Sequence, residues 1–212
     1  MAKNITKGRK IVAGVGLFFL TYVSLPILAP ILVFFGKGKL AAPIYKVYSF
    51  LCHQRAERSL FLFGEKAMYS VEELGEVGVN GFLEYRQYSG DSLHGHKTAI
   101  CFRDLGIYFG MFLAGVIFFI KPDLSKPLKF KWIVAGALPM ALDGGIQFIT
   151  EVLSIMVVNG WSAFGFGDVF AEQIYVSNNV KRIITGLLFG LTIGFWVYPS
   201  IIELSKDFKK DK

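Results

Sequence analysis

The sequence predicts an all-α integral membrane protein with about four transmembrane helices, one short interfacial or re-entrant helix and an outer loop. Hydrophobic residues make up 53% and aromatic residues 16% of the 212 positions, which is more apolar than an ordinary soluble domain. Crossing about 30 Å of hydrocarbon takes roughly 20 apolar residues in a helix. Apolar runs of this kind predict a single membrane domain, 1–212, with spans at about 11–35, 102–120, 132–158 and 183–202.

Prolines and acidic residues mark the individual spans. The first span carries no charge and contains Pro26 and Pro30, which are expected to kink it. The third is interrupted by Asp143 and Glu151, and the fourth ends near Pro199. Because ionised groups are costly in lipid, we expect the acidic side of the third span to face the bundle interior.

Lysine and arginine cluster in three short segments, and such segments are retained in the cytoplasm. All three fall on one side of a four-helix path, so we expect a multi-pass protein of the cell membrane with both termini cytoplasmic. The segments 36–104 and 159–182 then face outward. The basic residues are Lys3, Lys7, Arg9 and Lys10, then Lys121, Lys126, Lys129 and Lys131, and finally Lys206, Lys209, Lys210 and Lys212.

The formal net charge of +7 therefore belongs mostly to a cytoplasmic rim beside the lipid bilayer. No nucleic-acid motif and no aromatic-basic repeat is present, so we expect no nucleic-acid partner.

Gly186, Gly190 and Gly194 form a small-residue stripe on the fourth span. Such a stripe serves either a homo-oligomer or packing within one chain, because both use the same close approach of helices.

The long outward segment begins with a short apolar stretch. Residues 40–51 are too few to cross the bilayer, so we expect them to lie in the interface or to re-enter. They lead directly into Cys52-His53-Gln54. Residues 64–95 are polar and contain several glycines, which predicts an extracytoplasmic loop that is irregular or partly helical.

All the histidines and cysteines lie between positions 52 and 101, within this outward segment. Imidazole and thiolate are the usual ligands of zinc, which takes four donors in a structural site and leaves one position to water in a catalytic site. Cys52, His96 and Cys101 would supply three ligands. His53 or Asp104 would supply the fourth ligand or orient a metal-bound water, and His94 offers the same chemistry.

A disulfide between Cys52 and Cys101 is the alternative to a metal site. Two cysteines in an oxidising exterior compartment can pair directly, and the histidines are then bystanders. Spacing alone does not separate the two interpretations, because no CxxC pair is present.

Polar residues inside the spans form a second candidate group. Asp143, Gln147 and Glu151 recur every four residues on one helical face, and Asp143 lies near the middle of its span. Glu151 is closer to the outer surface, where an interfacial charge is ordinary. Arg182 opens the fourth span and would pair with Asp143 or with a substrate anion such as a lipid phosphate. An ion pair that only holds two helices together is the simpler alternative.

Four ordered motifs resemble an uncharacterised prokaryotic family of predicted multi-pass membrane proteins, a domain of unknown function. They are Cys52-His53-Gln54, Gly95-His96-x4-Cys101-x-Arg103, Asp143-Gly144-x-x-Gln147 and Asn179-x-x-Arg182-x-x-Thr185-Gly186. The resemblance implies that these motifs form one unit, and it brings no activity with it.

Two departures from that family are informative. Its members typically run from an aromatic stretch, which here follows Arg58-Ser59, directly to Gly-His. Residues 64–95 are therefore expected to be an insertion, and His94 becomes a weaker candidate ligand. The family often has Cys-x-Arg-Cys where this chain has Cys101-Phe102-Arg103-Asp104. Because Asp can replace Cys as a metal ligand but not in a disulfide, the second departure favours a metal.

The leading hypothesis is a membrane-embedded zinc protein whose ion sits at the outer mouth of the bundle. If the protein is an enzyme, hydrolysis fits best: Asp143 or Asp104 would handle protons, and Arg103 and Arg182 would hold an anionic or lipid-linked substrate. The alternative is a non-enzymatic subunit of a membrane complex, or a small transporter, with a structural metal or a disulfide.

Overall fold

The computed structural model describes residues 2–121, 126–158 and 177–207. Residues 159–176 of the outward loop expected at 159–182, and residues 208–212 of the basic C-terminal tail, lie outside the described ranges. The elements are α1 (Ala2–Phe34), α2 (Gly38–Tyr48), a 3-10 turn (Ala56–Arg58), β1 (Ser59–Leu62), α3 (Val71–Glu76), α4 (Phe82–Gln87), β2 (Gly90–Asp91), β3 (Gly95–Cys101), α5 (Phe102–Ile120), α6 (Phe130–Val158) and α7 (Asn179–Asp207).

Four of these helices are long and apolar enough to cross a membrane, and they confirm the predicted fold class. The candidate spans are Gly8–Phe34 in α1, Phe102–Ile120 in α5, Phe130–Leu153 in α6 and Asn179–Glu203 in α7. α2 has 11 residues, so at about 1.5 Å per residue it is too short to cross.

Glycines allow α5 and α7 to pack closely against each other. A Cβ atom on Gly106 of α5 would lie 2.5 Å from the carbonyl oxygen of Ile183, and one on Gly190 of α7 would lie 2.0 Å from that of Ile107. Only hydrogen fits at both positions. The small-residue stripe of the fourth span thus packs within this chain.

The two ends of the bundle are different. At one end the start of α1 meets the end of α7, and Val12, Ala114, Phe118 and Tyr198 form a buried apolar cluster. At the other end, the last turn of α1 and the first turns of α5 and α7 meet the segment that contains the three strands. We call this second end the sheet end.

A small antiparallel sheet, with strand order β1-β3-β2, was not predicted from the sequence. β2 lies inside the segment 64–95, which was expected to be irregular or partly helical, β1 precedes that segment and β3 begins at its last residue. In its register Ser59 faces Cys101 and Leu62 faces His96. The sheet escaped prediction because β2 has two residues and β3 is buried at most positions, so the alternation typical of strands is missing.

The sheet and the two short helices share an apolar core of their own. It consists of Phe61, Tyr69, Leu74, Val79 and Tyr85. β3 leads directly into α5, so this core fixes where the fold places the residue at the junction, Cys101.

Candidate metal centre

Cys52 and Cys101 meet at the sheet end although 49 positions separate them in sequence. Cys52 follows α2, and its N–H donates to the carbonyl of Tyr48 at 2.8 Å. Cys101 is the last residue of β3 and the N-cap of α5. Its N–H donates to Cys52 Sγ at 3.4 Å, and both cysteines are free thiols.

Gln54 holds these two segments together. Its side-chain amide donates to the carbonyls of Tyr45 and Ala99, each at 2.9 Å, and it is 4% exposed. The residue has a φ of 51°, so the chain turns sharply there to point the amide inward. The Cys52-His53-Gln54 motif thus combines a candidate ligand with the group that anchors it against β3.

Asp104 completes a group of three potential ligands. It lies in the first turn of α5, and Cys101 Sγ donates to its Oδ2 at 3.0 Å. The two sulfurs and the carboxylate oxygen all lie within 4.8 Å of one another. Tetrahedral zinc with bonds of about 2.3 Å to sulfur holds two sulfurs roughly 3.8 Å apart, so a small closure would bring this group to ligand geometry.

The Cys101 thiol holds its proton firmly. A hydrogen bond with Cys52, burial and the nearby carboxylate of Asp104 raise the pKa of the Cys101 thiol well above its ordinary value. A divalent cation would displace such protons, because the thiolate is the metal-binding form.

The three groups line a cavity of about 230 Å³. His53 also lines it and is exposed, so one imidazole of the predicted ligand set is beside the thiols. The remaining charged lining consists of the guanidinium groups of Arg55, Arg58, Arg103 and Arg182. The walls therefore carry both metal ligands and groups that bind anions.

The fold does not bring His96 to this group. His96 lies five positions before Cys101 on the same strand, which corresponds to about 16 Å at 3.3 Å per residue. One ion cannot reach both. His94 is also elsewhere: its Nδ1 lies 2.9 Å from Asp91 Oδ2, and its ring contacts Tyr69 and Tyr88 edge-on.

Asp143 pairs with Arg103 instead of with Arg182. Arg103 Nη2 donates to Asp143 Oδ2 at 2.6 Å, and Ser177 Oγ donates to the same oxygen at 2.9 Å. The carboxylate is 7% exposed. This contact joins α5, α6 and the residues that precede α7, and it fixes the guanidinium that lines the cavity.

Arg182 has neutral partners. Its Nη2 donates to Gln147 Oε1 at 3.1 Å and its Nη1 donates to Asn179 Oδ1 at 3.2 Å. In the described ranges, no carboxylate oxygen lies within 4.0 Å of its guanidinium, although the residue is only 3% exposed. Asp143, Gln147 and Arg182 therefore lie in one polar seam, as their motifs imply, but with different pairings from the one expected.

Glu151 is part of an ion cluster that the sequence did not reveal. It pairs with Arg55 and with Arg58, whose Nη2 lies 3.1 Å from its Oε2. Glu57 contacts the same two arginines. The cluster ties the 3-10 turn to α6. Its only sequence signal is that Arg55 and Arg58 follow the Cys-His-Gln motif.

Comparisons with known proteins agree with a membrane protein. A family profile described as "Predicted membrane protein (DUF2085)" matches residues 92–196. The chain is 29% identical over 201 residues to an uncharacterized protein of Methanocaldococcus jannaschii, with 91% of this chain and 93% of that protein covered. No solved structure matches the chain significantly. The profile match includes Cys101, Asp143 and Arg182 and begins after Cys52, and neither description names an activity.

Proposed function

We propose that this protein binds a zinc ion at the outer mouth of a membrane-embedded bundle, with Cys52, Cys101 and Asp104 as ligands. The observation that carries the proposal is the approach of two thiols and a carboxylate to within 4.8 Å of one another in a polar cavity. Sulfur donors favour zinc over magnesium or calcium, which prefer oxygen ligands. His53 is the fourth ligand in a closed site, and water takes that position in an open one.

In the open form, the site fits hydrolysis of an anionic or lipid-linked substrate. Zinc would supply an activated water at neutral pH. Asp143 keeps Arg103 oriented toward the cavity, and Arg103 and Arg182 line the wall where a negatively charged group would be held. This arrangement supports a zinc-dependent membrane hydrolase.

A non-enzymatic role is the second candidate: a subunit of a membrane complex, or a small transporter, with a structural metal or a disulfide. It is favoured by the direct contact between Cys101 N–H and Cys52 Sγ, since two neighbouring thiols in an oxidising compartment can form a disulfide. A closed site of four protein ligands would also serve structure alone.

We also propose that the protein lies in the cell membrane with its termini in the cytoplasm and the sheet end outside. Lys121, Lys126, Lys129 and Lys131 support this orientation, because they are exposed at the end opposite the sheet.

Metal content decides between a metal and a disulfide. We expect near-stoichiometric zinc by mass spectrometry of detergent-purified protein, lost in Cys101→Ser and Asp104→Ala because each removes one donor. His96→Ala is the matched control and should keep its zinc. Two free thiols should be titratable after chelation.

Two results would contradict this assignment. Protein without zinc and without free thiols has a disulfide, and the metal proposal is then wrong. Zinc lost in His96→Ala but kept in Asp104→Ala would mean that the ligand set is different.

A further inference from the structure

A second, larger cavity adjoins the candidate metal centre. It has a volume of about 650 Å³ and lies between the loop that precedes α3 and the start of α7. Arg55, Arg58 and Arg182 line both this cavity and the smaller one. The three guanidinium groups thus stand at the boundary between the two spaces.

The three arginines differ in how their charge is compensated. Arg55 and Arg58 contact the carboxylates of Glu57 and Glu151. Among the described residues, Arg182 donates only to the amide oxygens of Gln147 and Asn179. A guanidinium that is 3% exposed and has no counter-ion in the described ranges is costly, and an anion that enters the cavity removes that cost.

The start of α7 adds to the attraction for an anion. Ser177, Asn178, Asn179 and Val180 line the cavity, and α7 continues for 29 residues from Asn179. The first amide groups of a helix carry partial positive charge and bind phosphate groups readily.

Acidic residues in the lining do not cancel this charge. They are Glu57, which is already shared between Arg55 and Arg58, and Glu72, which is exposed. Neither is among the hydrogen-bond or ion-pair partners of Arg182. The strongest position for an anion is therefore beside Arg182.

We propose that the larger cavity binds a phosphate-bearing anion, with its phosphoryl oxygens on Arg182 and the start of α7. Guanidinium groups from the 3-10 turn and from α7 together with a helix start suit the tetrahedral phosphoryl group better than a planar carboxylate. The volume admits a phosphorylated headgroup as well as free phosphate. The inference rests on the proposed function in one respect: there, this anion would be the substrate of the neighbouring metal centre.

Binding is measured on the full chain in the presence of EDTA, so that no metal takes part. One arm titrates inorganic phosphate into detergent-purified protein by isothermal calorimetry. The other compares nanodiscs that contain phosphatidic acid with nanodiscs of phosphatidylcholine alone, by thermal stabilisation. Binding of inorganic phosphate identifies a soluble source of the ligand. Stabilisation by phosphatidic acid alone identifies a lipid headgroup.

Two variants test the role of the Arg182 charge, one by removing the guanidinium and the other by placing a carboxylate beside it. Arg182→Gln removes the guanidinium and should weaken binding by roughly tenfold or more, as for the loss of a charge-assisted hydrogen bond. Gln147→Glu keeps Arg182 and supplies a carboxylate at the oxygen that already accepts its hydrogen bond. Gln147 Nε2 has no partner in the described ranges, so this change sacrifices no hydrogen bond and should weaken binding similarly.

Lys181→Gln is the matched control. It removes one positive charge from the neighbouring position of the same helix, outside the lining of the larger cavity. Binding should be unchanged in this variant. If the wild type binds neither probe, or if folded Gln147→Glu binds as tightly as the wild type, the proposal is wrong.

The metal proposal and this one fail separately. Zinc content that survives in Cys101→Ser overturns only the metal centre, because the phosphate titration is made without metal. Loss of phosphate binding equally in Lys181→Gln and Arg182→Gln overturns only the phosphate site, since it would mean that net charge alone matters.

Discussion

Lys97 shows how a single buried residue connects the segment that contains the three strands to the candidate site. The residue is 1% exposed, and its Nζ lies within hydrogen-bond distance of three carbonyl oxygens: Gln54 at 2.7 Å, Tyr85 at 3.2 Å and Arg86 at 2.7 Å. Through Gln54 it supports the turn that carries Cys52. The residue is one more polar group that folding has placed in an apolar core with its donors satisfied.

The charge of Lys97 should make stability depend on pH. Burial lowers its pKa from 10.5 to about 7. Between these values the unfolded chain binds a proton that the native state lacks, so the free energy of unfolding should rise as the pH rises through this window. Thermal unfolding in detergent from about pH 7 to about pH 10 measures this slope.

Lys97→Met should flatten that slope, because the residue that titrates is gone. It should also lower stability at each pH, since three carbonyls lose their donor. Lys39→Met, at an exposed position, is the control and should keep the slope. An unchanged slope in Lys97→Met would show that another group titrates.

At the scale of secondary-structure elements, the contact between α5 and α7 positions the side chains of the candidate site. Arg103 and Asp104 lie in the first turn of α5, and Arg182 lies in the first turn of α7. The glycine contacts bring the two helices close enough for these side chains to share one cavity. The packing of the spans thus determines the geometry of the site.

A methyl group at that contact should loosen the bundle. Gly190→Ala places a Cβ atom 2.0 Å from the carbonyl oxygen of Ile107, so either the helices separate or the backbone shifts. We expect stability to fall by about 2 kcal/mol, typical of overpacking. Gly145→Ala is the control, because nothing lies within 4 Å of its Cβ position.

Thermal unfolding in detergent distinguishes the two variants. The control should unfold at the wild-type temperature or higher, since alanine favours helix over glycine. Equal destabilisation by both variants would show that the α5–α7 contact has no special role.

At the scale of the whole molecule, polar chemistry is concentrated at the sheet end. The two cavities, the ion cluster around Glu151 and the candidate ligands all lie there, while the opposite end has an apolar cluster and exposed lysines. Asn179 Nδ2 donates to the carbonyl of Glu57 at 3.0 Å, which links the segment that contains the three strands to α7. Among the described residues, the candidate ligands and the groups that could bind an anion thus lie together at one end of the bundle.

The proposed orientation predicts which end is accessible from outside the cell. In a Cys52→Ser/Cys101→Ser background, Lys39→Cys at the sheet end should react with a membrane-impermeant maleimide on intact cells. Lys129→Cys at the other end should react only after lysis. Both positions are exposed, so a difference reports the membrane barrier. The reverse pattern would place the sheet end in the cytoplasm.

The sequence by itself determined the spans and where the reactive residues are concentrated. Span length is a local property, since each helix satisfies its own backbone hydrogen bonds and only needs enough apolar residues to match the hydrocarbon thickness. The gathering of cysteines and histidines between positions 52 and 101 is likewise visible without a fold.

Tertiary structure decided which of these residues meet. Cys52 reaches Cys101 across 49 positions through the turn at Gln54, whereas His96, on the same strand as Cys101, is held away by the extended backbone. Arg103 forms an ion pair with Asp143 because α5 and α6 bring the two side chains together, and Arg182 is left with amide partners. Such pairings depend on helix contacts and strand register, which no local pattern in the sequence encodes.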